Sequence, residues 1–332
     1  MPAPVRRTRL VLSCVALLAL GLAGTALAGN GGLAPQTPAS PNAGGIRDIY
    51  WLLLAIAGGI FLLVEVTLVL FLVRYRSRGR PREIEGPQVR GHTNLELAWT
   101  AGPIVILAVI AAFVFYKVSG IDNPAGTPIA QGAPSKGTIR IDGHQYYWEF
   151  TYPNGAISID TLRLPVGRVV RLEIRSADVA HSWWVPALAG KIDAIPGRTN
   201  TTSWRPQKLG TFRGQCAEFC GIQHAAMLAY VQVLPQDEYE AWVRKRSSSP
   251  SEVGRESFTG VCSKCHGLAG QGDIGPPIAQ SPLLRDRAAL TTLLRQGRGA
   301  MPAVGRDWSD AQFNATIRYL QTRFRTGGGS GG

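Results

Sequence analysis

The stretch Gly214-Gln215-Cys216-Ala217-Glu218-Phe219-Cys220-Gly221-Ile222-Gln223-His224-Ala225-Ala226-Met227 concentrates metal-binding side chains. Its two thiols are four residues apart, an imidazole follows four residues later, and a thioether follows after three more. Such soft or borderline donors bind copper, zinc or iron–sulfur clusters in preference to hard cations. Two thiolates that bridge two copper ions, with one imidazole for each, require a second histidine, and His181 is the obvious supplier. A structural zinc site or a surface disulfide between Cys216 and Cys220 is the alternative, although zinc has no use for a thioether.

Together, the 214–227 stretch and the segment Asp178-Val179-Ala180-His181-Ser182-Trp183-Trp184 resemble the dinuclear copper (CuA) site of cytochrome c oxidase subunit II. The resemblance implies that Cys216 and Cys220 bridge both copper ions. It implies that His181 and His224 each bind one of them. A cupredoxin-like fold, with the ligands on loops that follow strands, is implied as well.

The same resemblance implies roles for residues around the copper pair. Met227 and the backbone carbonyl of Glu218 are expected to be weak outer ligands. The Glu218 carboxylate fits the position that, in the family, holds a magnesium ion against subunit I. One departure concerns the aromatic strand, where the family usually has Trp-Tyr-Trp and this chain has Tyr146-Tyr147-Trp148. In the family, the first Trp is the entry point for electrons from soluble cytochrome c. In this chain, either Tyr146 accepts electrons less efficiently than that Trp, or the electrons arrive by another route.

Composition limits the classes of function. A chain of 332 residues allows two compact domains with additional segments. The net charge of +13 is spread along the chain without a dense basic face, so a nucleic-acid partner is not expected. Apart from Cys14 and Met1, every Cys and Met lies in a proposed metal site, which suits a protein exported to an oxidising compartment.

The N-terminal third predicts export and membrane insertion. Residues 1–28 have the basic, apolar and small-residue order of a signal peptide, with an uncleaved anchor helix as the alternative. Residues 29–46, rich in Gly, Pro and Ala, are expected to be a flexible lead-in. Residues 47–117 are expected to form a transmembrane hairpin with spans at about 49–73 and 97–116. The arginine-rich loop between the spans is cytoplasmic by the positive-inside rule, which puts everything after Lys117 outside.

Residues 118–243 are expected to form the all-β copper domain. Segments 138–150, 169–175 and 228–234 have the β-branched and aromatic content of strands. Gly and Pro turns between them favour a small Greek-key sandwich or barrel. The polar segment 244–251 is expected to be a hinge.

A second metal motif follows the hinge. Cys262-Ser263-Lys264-Cys265-His266 has the C-x-x-C-H pattern that attaches a c-type haem through two thioether bonds, with the histidine as an iron ligand. Met301, between Ala300 and Pro302, is predicted to be the distal ligand. Residues 252–326 resemble a small all-α monohaem cytochrome c, with a last helix at 310–324, and 327–332 are expected to be a disordered tail.

These features predict a multidomain electron relay on a membrane. A donor, such as an upstream cytochrome, reduces the haem, which passes electrons to the copper pair. By resemblance, the acceptor is subunit I of a haem–copper oxidase, which reduces dioxygen and pumps protons, with subunit III as a further partner. We expect a bacterial inner membrane with both metal domains on its periplasmic face. The alternatives are a CuA-containing electron-entry subunit of a nitric oxide reductase and a copper-delivery or copper-storage protein.

Overall fold

The structure of the protein is a computed structural model that describes residues 34–76, 88–122, 137–248 and 250–324. It contains two long apolar helices, a β-sandwich and a helical C-terminal region. This is the architecture that the sequence predicts, and the fold class is confirmed. The predicted signal peptide at 1–28 and the predicted tail at 327–332 lie outside the described residues.

The two long helices are α1 (Pro41–Arg74) and α2 (Thr93–Asp122). Both are long and apolar enough to cross a membrane, and they are longer than the spans expected at 49–73 and 97–116. The segment expected to be a flexible lead-in differs from its prediction, because α1 begins inside it with the Ser40 side chain as its cap. Ala39 is buried, and its amide donates to the Ala187 carbonyl at 2.7 Å, which fastens this segment to the β-sandwich.

The sandwich consists of two five-stranded sheets with the orders β3-β2-β1-β5-β8 and β4-β10-β9-β6-β7. Trp148, Trp183 and Trp204 fill the space between the sheets and are fully buried. Such large apolar side chains supply much of the free energy that stabilises a small domain. The strands are β1 (Ile139–His144), β2 (Tyr147–Thr151), β3 (Ile157–Ile159), β4 (Thr161–Pro165), β5 (Val170–Ser176), β6 (His181–Trp184), β7 (Ile192–Ala194), β8 (Asn200–Trp204), β9 (Gly210–Cys216) and β10 (Leu228–Leu234).

The segment 138–150 differs from the single strand that its composition predicts. It forms an antiparallel hairpin of β1 and β2, in which His144 pairs with Tyr147. Large side chains continue from His144 to Trp148, and the turn residues Gln145 and Tyr146 are not typical turn formers, which hides the break from a reading of the pattern alone. As a result, Gln145 and Tyr146 lie at the tip of a hairpin instead of within a strand.

The C-terminal region is helical. Its last helix agrees with the sequence prediction, because Ser309 caps it and Phe313, Ile317 and Leu320 are buried on one face. The helices are α3 (Gln236–Ser248), α4 (Pro250–Ser257), α5 (Ser263–His266), α6 (Arg287–Gln296) and α7 (Asp310–Phe324), with a π-helical turn (Phe258–Cys262) between α4 and α5.

The segment 244–251 differs from the flexible hinge expected there. It is helical on both sides of residue 249, and the Arg246 side chain within it is buried. The Arg246 guanidinium donates to the Ile157 carbonyl at 2.7 Å and pairs with Glu256 at 2.6 Å. A buried guanidinium needs such partners, and they fix this linker to the edge of the sandwich.

Candidate metal centres

Two neighbouring strands bring the first pair of candidate metal-binding side chains together. Strand β9 ends at Cys216 and strand β6 begins at His181, and the two strands pair in antiparallel register. The Cys216 Sγ lies 3.8 Å from His181 Nδ1, and both side chains are buried. The contact therefore depends on sheet pairing between residues 35 positions apart in the chain.

The loop after β9 carries the other donors back to the same place. Cys220 Sγ lies 3.5 Å from His224 Nδ1 and 3.8 Å from Met227 Sδ. His224 opens a short 3₁₀ helix, and the Met227 carbonyl accepts from the Cys216 amide at 3.0 Å, which closes the loop. The ligand atoms of His181, Cys216 and Cys220 all lie within 4.8 Å of one another. The structure thus gathers every sulfur and nitrogen donor that the sequence predicts for copper.

Asp178 orients the His181 ring, and sequence reasoning missed this role. Its carboxylate lies 2.8 Å from His181 Nε2, and it also accepts from the amides of Gln145 and Val179 at 2.6 Å each. Because Asp178 holds Nε2, the ring presents Nδ1 to Cys216. A carboxylate behind a histidine commonly fixes the tautomer of a metal ligand. The spacing of three residues between Asp178 and His181 is the sequence signal that was available.

The two thiols of the loop differ in acidity. Burial opposes ionisation of Cys216, but the hydrogen bond with His181 and backbone donors outweigh it and lower the pKa of this thiol. Burial and the neighbouring Cys216 raise the pKa of Cys220 to about 12. The Cys216 thiol is therefore the more acidic of the two, and metal ligation would require the loss of both protons, since the thiolate is the form that binds metal. Within the described residues, no disulfide joins Cys216 to Cys220 or Cys262 to Cys265.

Glu218 contributes two different oxygens. Its backbone carbonyl lies 3.2 Å from Cys216 Sγ, inside the cluster. The residue as a whole is exposed, so its carboxylate is open to solvent or to a partner. One carboxylate does not make a magnesium site, so further oxygen ligands would have to come from a partner.

The C-x-x-C-H motif lies on the π-helical turn and helix α5. His266 is buried, and its Nδ1 lies 2.6 Å from the Pro276 carbonyl. With Nδ1 engaged, Nε2 is the nitrogen left for iron. Gly275 passes close to this ring, since a Cβ there would lie 2.9 Å from His266 Cε1. The donor set and this orientation fit a c-type haem.

Met301 packs against the same apolar cluster that contains Cys262. This cluster also includes Phe258, Leu294 and Trp308, so the predicted haem ligands share an apolar environment. An apolar surround of this kind is what a haem edge requires, and it is one of the means by which a protein tunes the haem potential.

Two histidines outside the motifs have other surroundings. His92 accepts from the Leu95 amide at the start of α2, while Glu96 accepts from the His92 amide at 3.0 Å, so both residues cap this helix. His144 is buried at the end of β1 and stacks on the Tyr147 ring at 4.5 Å. Burial lowers the pKa of His144, which favours its neutral form.

Comparison with known families identifies three matching regions. Residues 28–116 match the family described as cytochrome C oxidase subunit II, transmembrane domain. Residues 155–234 match cytochrome C oxidase subunit II, periplasmic domain. Residues 250–320 match cytochrome C oxidase, cbb3-type, subunit III.

Individual relatives agree with these matches. The cytochrome c oxidase subunit 2 of Alkalihalophilus pseudofirmus is 35% identical over 263 residues, which covers 76% of this chain and 76% of that protein. The corresponding protein of Thermostichus vulcanus is 32% identical over 263 residues, covering 65% and 79%. Among solved structures, the periplasmic domain of cytochrome oxidase subunit II of Bradyrhizobium japonicum is 33% identical, with a TM-score of 0.33, and covers 35% of this chain and 96% of that one.

Proposed function

The chain belongs to the cytochrome c oxidase subunit II family and carries a fused cytochrome c domain, and we propose that it relays electrons through two metal centres of its own. In this proposal, residues 118–243 form the copper domain and residues 252–326 form the cytochrome domain. When bound, the haem and the copper pair would each carry one electron at a time. The electrons would come from an external donor and go to subunit I of a haem–copper oxidase.

The observation that carries the proposal is the convergence of the donors from β6 and the 216–227 loop. We propose that the thiolates of Cys216 and Cys220 and the Nδ1 atoms of His181 and His224 would hold the two copper ions. The Met227 thioether and the Glu218 carbonyl, which contact the Cys220 and Cys216 sulfurs, would be additional weak ligands. The contacts among these atoms and the Asp178 hydrogen bond support the assignment. A rigid site suits electron transfer, because the ions then change charge with little movement of their ligands.

For the haem, we propose that Cys262 and Cys265 would attach it through thioether bonds and that His266 and Met301 would bind its iron. The hydrogen bond from the His266 ring to Pro276 supports this choice, because it leaves Nε2 available. The apolar surroundings of Met301 support it further.

The family implies a membrane protein with an outward-facing domain. We propose more narrowly that the membrane is the bacterial inner membrane and that both metal domains are periplasmic. Subunits I and III are the proposed partners within the complex. The exposed carboxylate of Glu218 would hold a magnesium ion together with ligands from subunit I.

Purification of the complex from membranes, with metal analysis and identification of its subunits, tests the proposal. We expect two copper ions and one covalent haem in this chain. A Cys216→Ser variant should lose the copper pair and keep its haem absorption spectrum. A single labile copper ion would contradict the relay and favour copper delivery. A nitric oxide reductase large subunit in the complex would replace the oxidase assignment.

A further inference from the structure

The copper domain and the cytochrome domain share a buried interface. Tyr147 of β2 is fully buried in the apolar cluster of the C-terminal helices. Its hydroxyl accepts from Trp308 Nε1 at 2.9 Å and donates to the Val304 carbonyl at 3.0 Å. A tyrosine buried with both hydrogen bonds satisfied is typical of a permanent contact, whereas a transient encounter leaves such groups in water.

Lys264 connects this interface to the haem-attachment motif. It lies between Cys262 and Cys265, and its side chain turns toward the β-sandwich. The Lys264 Nζ pairs with Asp160 Oδ2 at 2.5 Å and donates to the Tyr146 carbonyl at 2.9 Å. Each side chain of the ion pair is only 15% exposed, so the pair is shielded from water and from salt.

Tyr146, which Lys264 reaches, and its neighbour Gln145 contact residues 216–227, the loop of predicted copper ligands that we call the copper loop. Gln145 Nε2 donates to the Cys220 carbonyl at 2.7 Å. The Tyr146 ring packs on Gly221 so closely that a Cβ there would lie 2.5 Å from its hydroxyl. Gln223, next to a predicted copper ligand, donates to the Lys264 carbonyl at 3.3 Å. The haem-attachment turn, residues 262–266, therefore meets the copper loop directly through Gln223 and indirectly through Tyr146.

We propose that Lys264 is a positioning residue that holds the haem-attachment turn against the copper loop at Tyr146. The proposal rests on the electron relay proposed above and deepens it. The cytochrome domain is then a docked partner in a fixed orientation, and electron transfer proceeds without a search by a tethered domain. The buried Arg246 in the linker supports this arrangement, because its ion pair with Glu256 and its bond to Ile157 restrain the connection between the domains.

The test uses the full complex in detergent with Lys264→Met, which removes the charge and keeps the length of the side chain. Lys264→Arg should restore the pair with Asp160, and Lys208→Met is the matched control, because Lys208 is exposed. The first measurement is hydrogen exchange of the backbone in segments 143–148 and 220–224. We expect exchange about tenfold faster in Lys264→Met, since losing a charge-assisted hydrogen bond shifts the docked population by about that factor.

The second measurement is the rate of electron transfer from haem to copper after rapid reduction of the haem. A single electron moves and no bond is made or broken. We expect a fall of about tenfold or more in Lys264→Met, with unchanged haem and copper spectra and recovery in Lys264→Arg. Unchanged exchange and an unchanged rate in Lys264→Met would overturn the proposal.

A second variant tests the same ion pair in case the Lys264→Met protein fails to attach haem. Asp160 has a positive φ of 55°, which asparagine tolerates, and its Oδ1 accepts from the Trp148 amide, which an asparagine oxygen can also do. Asp160→Asn therefore breaks the ion pair from the other side while keeping the local fold, and the same two effects are expected. Absence of copper or haem from the unmodified chain would refute the proposed electron relay. The hydrogen-exchange measurement would still show whether Lys264 holds the two domains together.

Discussion

Replacing Glu149 with glutamine should stabilise the protein above neutral pH and change its stability little in mild acid. Glu149 of β2 is 6% exposed at the interface between the two domains. Burial is the main reason that the pKa of its carboxyl is raised from 4.5 to about 7, while the hydrogen bond from Gln312 opposes the rise and nearby Asp142 adds to it. The folded protein therefore favours the neutral carboxyl.

The sign and size of the change in stability follow from the difference between the pKa of this carboxyl in the folded chain and in the unfolded chain. Below pH 4.5 the carboxyl is protonated in both the folded and the unfolded chain, so its full stabilising contribution is present. As the pH rises through 7, the folded state must ionise a buried group and this contribution is lost. A pKa raised from 4.5 to about 7 corresponds to a loss of about 3 kcal/mol in the free energy of unfolding.

Glutamine removes the titration while keeping the shape of the side chain. Gln312 Nε2 donates to Glu149 Oε2 at 2.9 Å, and a glutamine oxygen accepts equally well. The Gln312 Oε1 atom is buried with no hydrogen-bond partner among the described residues, and the new amide can donate to it. The variant and the unmodified protein should therefore be similar near pH 4.5 and differ by about 3 kcal/mol near pH 8.

The difference in stability between the variant and the unmodified protein can be measured by thermal unfolding of the full chain in detergent. Tryptophan fluorescence monitors the unfolding at a series of pH values from 4.5 to 8. For a folded unit of this size, about 3 kcal/mol corresponds to a Tm higher by about 6–12 °C in the variant at pH 8. Glu238→Gln on the exposed start of α3 is the control and should show no such pH dependence. A Tm difference that is the same at pH 5 and pH 8 would refute the reasoning.

Three further substitutions test the metal centres and the helix packing. Asp178→Asn should weaken copper binding by about 10–100-fold, because it loses the carboxylate that orients His181, and chelator competition with the haem spectrum as a reference would detect this. Met301→Ala should lower the haem potential and open the iron to added imidazole; an unchanged spectrum would mean that another residue is the sixth ligand. Gly254→Ala should destabilise the protein by about 1–3 kcal/mol, since the new Cβ would lie 2.3 Å from the Ala315 carbonyl, and an unaltered Tm would contradict that packing.

Interactions between residues close in the chain were accessible from the sequence. The order of Cys216, Cys220, His224 and Met227 indicated one metal-binding loop, and the structure brings these side chains together. The last helix was predicted from its cap and its apolar face for the same reason. In each case the contacts follow from spacing within a few turns, which the local backbone geometry determines.

Several other features depended on contacts that no local pattern records. The hairpin in 138–150 was missed because its large side chains continue through the turn at Gln145. The linker around Arg246 was expected to be flexible, because its polar composition does not reveal that a buried guanidinium finds partners on β3 and α4. A polar side chain becomes a fixed part of the structure only when tertiary packing brings partners to it and excludes water.

The sequence by itself indicated the candidate metal-binding side chains, the two apolar helices of the described residues that are long enough to cross a membrane, and the cap and apolar face of the last helix. Only the tertiary structure decided how the β-sandwich and the helical C-terminal region meet. Lys264 and Asp160 are 104 residues apart in the chain, and Trp308 and Tyr147 are 161 apart. Such pairs depend on the registers of the sheets and on the packing of whole elements, and their interaction energy appears only after the loops between them have closed.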